Sequence, residues 1–492
     1  YTIKPISPGT YDVLISFVGY QPKKITGVRI TANKIQFVDA ALNVGVMVDE
    51  AEVVVYTVPL IDKDGGASGG TVSREDIDKL PGRSATSIAT TVAGASTAGT
   101  GGGISIRGAR SSSTWVYIDG IKVRGSTNLP KSAIEEVSVM TGGVPANFGD
   151  ATGGIISITT RGASRTYFGG VEVVSSGIAL NENVYGLDNN AFNLLEGTFS
   201  GPLLMKKDST GKKTDPILGF FVSGNFNHVL DPRPLAGDQY RLKPAYRDSL
   251  IDPSKMGPLR PTGLGFGAYY NTDFLTEDAF EKVKYRQNVD RTTASLAGKI
   301  DVNAGPNMNI SFGASGAYSD RNGASWESSL MNYDNLANYR DFDWRAYGKF
   351  TQRFQNVAED ANSQTGVKNA YYTIMVDYSR NYGWVEDNVH GDNYFNYGHI
   401  GKFDIAKTPS YEFSDFDGNG VLDLVQTGVN DDSISFTPST TNADMAAITT
   451  QYFSLSPAYL IAGLALSLYI HVLYPVSYTH LRAHETEADL VC

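Results

Sequence analysis

Hydrophobic and polar positions alternate over long stretches in the second half of the chain. Met308, Ile310, Phe312, Ala314 and Tyr318 fall on one face, with Asn309, Ser311, Gly313 and Ser315 on the other. The same period of two sets Leu218, Phe220, Val222 and Phe226 against Ser223 and Asn225, and Leu296, Ile300 and Val302 against Ser295, Lys299 and Asp301. It recurs where Tyr372, Ile374, Val376 and Tyr378 oppose Thr373, Asp377 and Ser379. Such a period predicts strands. One apolar and one polar face suits a membrane barrel with lipid outside and water within. A soluble sandwich, packed on one face and wet on the other, gives the same pattern. Aromatic strand ends such as Tyr382 and Trp384 favour the barrel, and the polar stretches 231–270 and 326–341 read as extracellular loops.

The first 44 residues alternate as well. Tyr11, Val13, Ile15 and Phe17 oppose Asp12, Leu14 and Ser16, and Gly19, Tyr20 and Pro22 close the strand. Residues 28–31 and 35–38 are two further strand candidates. So few strands do not bury a core alone, so this part is expected to be the end of a β-sandwich whose remainder lies upstream. Then comes Glu52-Val53-Val54-Val55-Tyr56, a β-branched run behind the acidic Asp49 and Glu50, followed by a flexible Gly/Ser linker at 65–70. An extended, tethered segment of this kind is suited to adding itself to another protein's sheet edge. The alternative reading is an ordinary edge strand of the preceding sandwich.

Residues 71–163 read as a small α+β unit of short, glycine-punctuated strands. Ser73 and Asp76 form a variant capping box that starts a helix, which Leu80-Pro81 would end. Trp115-Val116-Tyr117-Ile118 runs into Asp119-Gly120, a tight-turn dipeptide, and Ile121-Lys122-Val123 leads away. The segments Ile104-Ser105-Ile106-Arg107-Gly108, Tyr117-Ile118-Asp119-Gly120-Ile121 and the run from Phe148 to Gly162 occur in that order.

These three segments together resemble the plug domain of TonB-dependent outer-membrane receptors, in particular the SusC-like type of Bacteroidota. The stretch around Tyr11–Pro22 resembles the carboxypeptidase-regulatory-like β-sandwich that precedes such plugs. The resemblance implies a mainly β chain: the C-terminal part of a β-sandwich (1–44), a linker with the Ton box (45–70), an α+β plug (71–163) and the first part of a transmembrane antiparallel β-barrel (164–456). It also implies that Glu52, Val53, Val54, Val55 and Tyr56 are the Ton box, which pairs with the periplasmic domain of TonB. The further partners it implies are outer-membrane lipid, an extracellular nutrient ligand and a SusD-like surface lipoprotein. Arg107 is, by position, a plug latch. Ser138 and Thr141-Gly142-Gly143 depart from the family's usual acidic and basic residues at those places. A plugged transporter has about 22 strands, and the residues after 164 suffice for about nine or ten of roughly ten residues each, so the barrel is expected to be incomplete. The tail 457–492 holds an apolar run at 458–474 and ends in a stretch that resembles translated sequencing-adapter DNA, so it is left out of the fold.

Composition narrows the function classes. With 28 Tyr, 22 Phe and 52 Gly among 492 residues, the chain suits strands and aromatic girdles. A mean hydropathy of -0.20 excludes a polytopic helical membrane protein but not a barrel. The net charge of -11 argues against a nucleic-acid partner. Cys492 is the single cysteine, so no intrachain disulfide forms. Gly66-Ala67-Ser68-Gly69-Gly70 matches a nucleophile-elbow pattern, yet it lies in a linker with no strand-turn-helix context and no histidine partner. His228, His390, His399 and His471 are scattered, and His480 and His484 fall in the excluded tail, so no enzyme is expected. No cofactor is required. Asp415, Asp417, Asn419, the Val421 carbonyl and Asp423 have the donor spacing of a calcium loop, although Gln426 stands where the bidentate glutamate belongs. A weak structural calcium ion or a solvated acidic tip both fit. The leading expectation is TonB-dependent import of an oligosaccharide, peptide, siderophore or vitamin across the outer membrane. The alternative is a cell-surface β-sandwich adhesin or carbohydrate-binding protein.

Overall fold

The computed structural model describes residues 9–30, 36–44, 52–55, 68–97, 103–123, 127–145, 148, 152–164, 166–207, 211, 213–237, 239–263, 268–305, 307–354, 371–387 and 389–455. Two N-terminal strands, β1 (Gly9–Ile15) and β2 (Lys23–Ile30), pair antiparallel with a bulge between Tyr11 and Val13. The third strand is not at 36–38, which form no strand. It is β3 (Glu52–Val55), added in parallel to β2 at the edge of the sheet. Its unbroken valine run favours the extended chain. The register sets Glu52 opposite Lys23 and Val55 opposite Thr26.

The central unit comprises β4 (Ser68–Ser73), α1 (Arg74–Lys79), α2 (Ala85–Ala89), β5 (Ala95–Thr97), β6 (Ile104–Ile106), β7 (Thr114–Ile118), β8 (Ile121–Lys122), β9 (Ile134–Gly142) and β10 (Gly154–Thr160). Its main sheet runs β4-β9-β10-β7-β8, with β10 parallel to β7 and antiparallel to β9. The capping box expected at α1 is present, Ser73 and Asp76 bonding reciprocally, and Leu80 caps the other end in extended backbone. The dipeptide after β7 is the expected two-residue turn: Asp119 and Gly120 both have positive φ, and Ile118 pairs with Ile121. Ile77, Ile88, Ile106, Val137, Val139, Ile156 and Ile158 pack on one side of the sheet, and Tyr117, Met140, Phe148 and Ile155 on the other. With both faces covered, β9 and β10 are buried along most of their length, on both faces alike. Truncating Ile156 to alanine would cost about 2–5 kcal/mol by leaving a cavity there.

The long strands follow: β11 (Phe168–Ser175), the hairpin β12 (Gly177–Leu180) and β13 (Asn183–Gly186), β14 (Phe192–Lys207) and β15 (Lys213–Val229). A folded insertion of β16 (Gln239–Leu242), α3 (Pro244–Ile251), β17 (Leu259–Pro261), β18 (Ala268–Tyr270) and β19 (Phe280–Val283) precedes β20 (Arg291–Gly305) and β21 (Met308–Asn322). After these come α4 (Trp326–Met331), β22 (Asn338–Arg353), β23 (Tyr371–Glu386), the hairpin β24 (Gly401–Ser414) and β25 (Asp423–Pro438), and α5 (Ala443–Leu455). The long sheet is the antiparallel meander β11-β14-β15-β20-β21-β22-β23, open at β11 and β23. It is an incomplete barrel wall. Among the described residues this sheet has seven strands, fewer than the nine or ten expected, and the β24–β25 hairpin forms a separate two-stranded sheet.

Several expectations shift. The stretch 231–270 is not a plain loop, because the insertion has its own small core of Leu242, Leu250 and Ala279. The loop 326–341 ends earlier, since β22 starts at Asn338. Its first residues are polar because ion pairs hold the strand end: Arg340 meets Asp320 at 3.3 Å and also Glu386. A 16-residue strand such as β22, at about 3.4 Å per residue, is roughly twice as long as the apolar band of about 25 Å, so its ends lie beyond the bilayer in water. The helix α5 falls in a region expected to be all strand; Gln451 on it exchanges hydrogen bonds with the Leu259 backbone at 3.2 and 3.3 Å. No helix among the described residues is long and apolar enough to cross a membrane, which says nothing of strands. Tyr56, residues 65–67 of the linker and the tail 457–492 lie outside the described residues.

Candidate functional site

The alternation along the long sheet separates its two faces. Val222, Phe226, Leu296, Ile300, Phe312, Ile374, Val376 and Tyr378 are exposed on one side. The other side carries Ser223, Ser295, Ala297 and Ser311, all buried. Phe342 stacks on Tyr382, and Tyr382 on Trp384, extending the exposed face into an aromatic rim. An apolar, aromatic-edged outer surface on an antiparallel meander is the lipid face of a barrel.

What covers the polar face is the central unit. Asp119, held at φ 52 by its two-residue turn, aims its carboxylate into the junction. It accepts from the Thr160 N–H at 2.9 Å, the Thr160 hydroxyl at 2.6 Å and the Tyr347 hydroxyl at 2.6 Å. Thr160 belongs to the unit itself, whereas Tyr347 is on β22. Burial works to raise the Asp119 carboxyl, but the Lys299 ammonium and the Thr160 and Tyr347 hydroxyls outweigh it and hold it below the usual carboxylate range. A second tie is the 3-10 turn Lys131–Ala133. Ser132 donates its N–H to Glu196 on β14 at 2.7 Å, and its hydroxyl meets that of Ser223 on β15 at 2.5 Å. Arg83 bonds Glu172 on β11 in a two-pronged pair and lies 3.8 Å from Glu196. Burial pulls the Lys131 ammonium below its ordinary value, and its Nζ donates to the Leu80 carbonyl at 2.7 Å. Where the unit passes into β11, the Ala163 N–H donates to Asp301 at 3.0 Å and Arg161 lies over the Phe168 ring at 4.4 Å. Phe221 and Ala297 of the wall join the unit's apolar core. The unit is thus a folded body seated on the inner face of a barrel wall through charged and hydroxyl groups that can separate.

Residues 62–155 match the family model of the TonB-dependent receptor plug domain. The chain carries a TonB-dependent receptor plug. It is 24% identical over 345 residues to the TonB-dependent transporter Oar of Myxococcus xanthus, covering 64% of this chain and 29% of Oar. Among solved structures, it is similar to a mutant of the ferric enterobactin receptor of Pseudomonas aeruginosa at 17% identity and TM-score 0.34, covering 65% of this chain and 46% of that one. It is also similar to the alcaligin outer-membrane receptor of Bordetella pertussis at 12% identity and TM-score 0.39, covering 65% of this chain and 39% of that one. The chain therefore spans less than half the length of these proteins. The family is one of outer-membrane receptors and transporters, not enzymes, which places the chain in the cell outer membrane.

The residues singled out in the sequence fall in three places. Arg107, at φ 51, donates to the Ser68 hydroxyl at 2.7 Å, so its bond is made inside the plug and not to the wall. The departures noted near it make room for that bond. A Cβ on Gly142 would meet Arg107 Nη1 at 2.8 Å and Ser68 Oγ at 2.9 Å, and the Thr141 hydroxyl donates to the Ser68 carbonyl at 3.1 Å. Ser138 meets the Thr71 hydroxyl at 2.9 Å across β9 and β4, in a space that suits a small side chain. Ser68 itself opens β4 and is followed by strand, with α1 starting only at Arg74, so the nucleophile-elbow geometry is absent. Of the proposed Ton box, residues 52–55 are the edge strand β3, and Tyr56 lies outside the described residues.

At the β24–β25 turn, Asp415 accepts from the Gly420 N–H at 3.0 Å, and Asp417 accepts from Asn419 N and Nδ2 at 3.3 and 2.8 Å. The Asn419 amide oxygen accepts from the Val421 N–H at 2.7 Å. These side chains are therefore engaged in folding the turn, and no group of three or more His, Cys, Asp or Glu with metal-binding geometry occurs among the described residues. The wall contacts of the plug were the residues sequence reasoning missed. Asp119 read as a turn former only, although Lys299 and Asp301 already stood out as charges on the polar face of a strand.

Proposed function

We propose that this chain works as the plug and first wall strands of a TonB-dependent importer of a nutrient, an oligosaccharide, peptide, siderophore or vitamin, across the outer membrane. The observation that carries the reading is the plug docked on the polar face of an outward-apolar meander through Asp119, Ser132 and Arg83. Such hydrophilic ties can be exchanged for water when the plug moves, which an apolar interface would resist. Residues 52–56 are the proposed Ton box, supported by an extended β-branched strand at a sheet edge just upstream of the plug. In this reading the TonB periplasmic domain pairs with that strand and the insertion after β15 helps form the extracellular face. The SusC-like assignment, a carboxypeptidase-regulatory-like identity for the N-terminal sheet and a SusD-like lipoprotein partner belong to the same proposal. They are supported by the order of the plug segments and by the strands β1 and β2 upstream.

The test is a pair of substitutions at one position in the complete receptor. Val54→Pro removes a backbone donor and fixes φ, while Val54→Thr keeps the donor and the β propensity. Growth on a panel of glycans, peptides, ferric siderophores and vitamins first identifies a cargo. With that cargo, Val54→Pro is expected to abolish uptake while surface binding and the amount of folded receptor stay normal, and Val54→Thr to be nearly silent. Normal uptake by the proline variant would reject the Ton box, and loss of folded receptor would make the strand a structural edge.

A further inference from the structure

Arginines of the insertion between β15 and β20 mostly meet carboxylates. Arg286 binds the fully buried Asp231, Arg241 binds Glu182 and Glu281, and Arg247 meets Asp334. Arg260 on β17 does not. Its Nε donates to the Asn271 amide oxygen at 2.5 Å, and its Cζ lies 3.9 Å above the centre of the Phe274 ring. Asn271 is 3% exposed, and its Nδ2 donates to the carbonyls of Met256, Gly257 and Leu259, so its oxygen is the end that faces Arg260. A neutral amide thus orients the guanidinium without cancelling its charge. Nη1 and Nη2 make no bond among the described residues, and Asp273 on the same turn makes no ion pair with them.

Beside this fork stands an aromatic surface. β17 and β18 pair so that Arg260 and Tyr269 are directly opposite on one face of the hairpin, with Cβ atoms about 5 Å apart. Tyr269 and Phe274 are both half exposed, and their rings meet edge to face at 6.1 Å. The hairpin is held from behind. Leu259 is buried, and Gln451 of α5 bonds both its N–H and its carbonyl. A guanidinium and a ring fixed before a ligand arrives lose little freedom on binding it.

We infer that this platform binds a carboxylated sugar, a uronic acid within an oligosaccharide, with the sugar ring on Tyr269 and its carboxylate on Arg260. The inference rests on the import reading, which sets the insertion on the extracellular face. The open end of the guanidinium, Nη1 and Nη2, matches a carboxylate through two parallel bonds. A pyranose has a flat C–H face that packs on an aromatic ring. A uronate carries its carboxylate at the rim of that ring, where it reaches the residue beside Tyr269. A neutral sugar would leave the guanidinium unpaired, and a peptide carboxylate would fill the fork and leave Tyr269 uncovered.

Calorimetry on the complete receptor in detergent tests this. The probes are oligogalacturonate and oligomannuronate, each beside its carboxyl-reduced, neutral counterpart. At least one uronate is expected to bind, and its neutral counterpart about tenfold more weakly. Arg260→Gln should remove that difference, Arg260→Lys should restore part of it because charge returns without the fork, and Tyr269→Leu should weaken both forms. Heat-modifiable mobility establishes that each variant is folded. Heat from neither uronate, equal binding of acidic and neutral forms, or an unaltered preference in Arg260→Gln overturns the platform. A carboxylate-ended tripeptide that binds as tightly as the better uronate overturns the sugar. Uptake of the same probes separates the two readings. A uronate that binds as expected and never enters the cell keeps the platform and counts against import. A receptor that imports another nutrient and binds neither uronate keeps import and rejects the platform.

Discussion

Asp119 combines a backbone role with a charge role, and the two can be pulled apart. Its positive φ is tolerated by Asp and Asn alike. Asp119→Asn therefore keeps the turn after β7 and removes the charge that faces Lys299 and the Tyr347 hydroxyl. Loss of hydrogen bonds to an ionised carboxylate costs about 1.5–3 kcal/mol, and the expected result is a plug that docks on the wall less stably, measured by protease release of the plug from receptor in lipid. The pH dependence has a definite sign. A carboxyl held below its unfolded value contributes stability above that value and loses it as pH falls through the folded one. Docking should thus be constant from neutral pH to about 4, and weaken below. In Asp119→Asn the acid-dependent loss is expected to shrink. An unchanged acid limb would show that another group sets it. At Arg107, Arg107→Asn tolerates the same backbone and deletes the bond to Ser68. Faster amide exchange confined to Ser68–Ser73 is expected, with a cost of about 0.5–1.5 kcal/mol. Spread of the exchange over the whole plug would count against a local clip.

At the scale of elements, the two faces of the wall carry different tolerances. Phe312 is exposed on the lipid side of β21, and Asn309 lies on the opposite face near the strand end. Phe312→Arg should cost about 2–4 kcal/mol if near the midplane of the bilayer, and Asn309→Arg much less. Equal folding yields in lipid would overturn the facing. Ser311 is a poor choice for the inner position, because it is buried and bonds Asp301 at 2.6 Å, a partnership that alternation alone does not reveal. The weak calcium site at the β24–β25 turn is a proposal that rests on donor spacing, and an ion would have to replace the bonds that Asp415, Asp417 and Asn419 accept within the turn. Calorimetry should show calcium heat in the chain and none in Asp417→Ala, and identical heats would remove the ion. Legibility followed the range of the forces. The capping box at Ser73, the Asp119-Gly120 turn and the faces of β15, β20, β21 and β23 are set by neighbours in sequence, and each could be read there. Arg83 with Glu172, Ser132 with Ser223 and Asp119 with Tyr347 join residues 89, 91 and 228 positions apart. No local pattern marks such pairs. The strand start at Asn338 was hidden for another reason: beyond the bilayer, ion pairs replace the apolar alternation.

At the scale of the whole chain, the decisive arrangement is that β3 is both the proposed partner strand and part of the N-terminal sheet. Its pairing with β2 covers residues Lys23–Glu52 through Thr26–Val55 in parallel. Parallel pairing is slightly weaker per residue than antiparallel, and a four-residue strand is short. A partner that takes the β2 side of this strand must first displace β2. With net hydrogen bonds worth about 0.5–1.5 kcal/mol each, losing one or two of them is worth about tenfold in affinity. Replacing the strands of residues 9–30 by a flexible Gly/Ser linker of equal length, in the complete receptor, should therefore raise the affinity of the TonB periplasmic domain about tenfold if β2 competes. A partner that instead adds to the outer edge of β3 meets a strand whose backbone is already ordered. Ordering costs about 1–2 kcal/mol per residue, so in that case the same replacement should weaken binding. The sign of the change, measured by calorimetry with Val54→Pro as the non-binding control, decides between a masked strand and a displayed one. The parallel register favours masking, because each of the four residues of β3 already has a partner on β2.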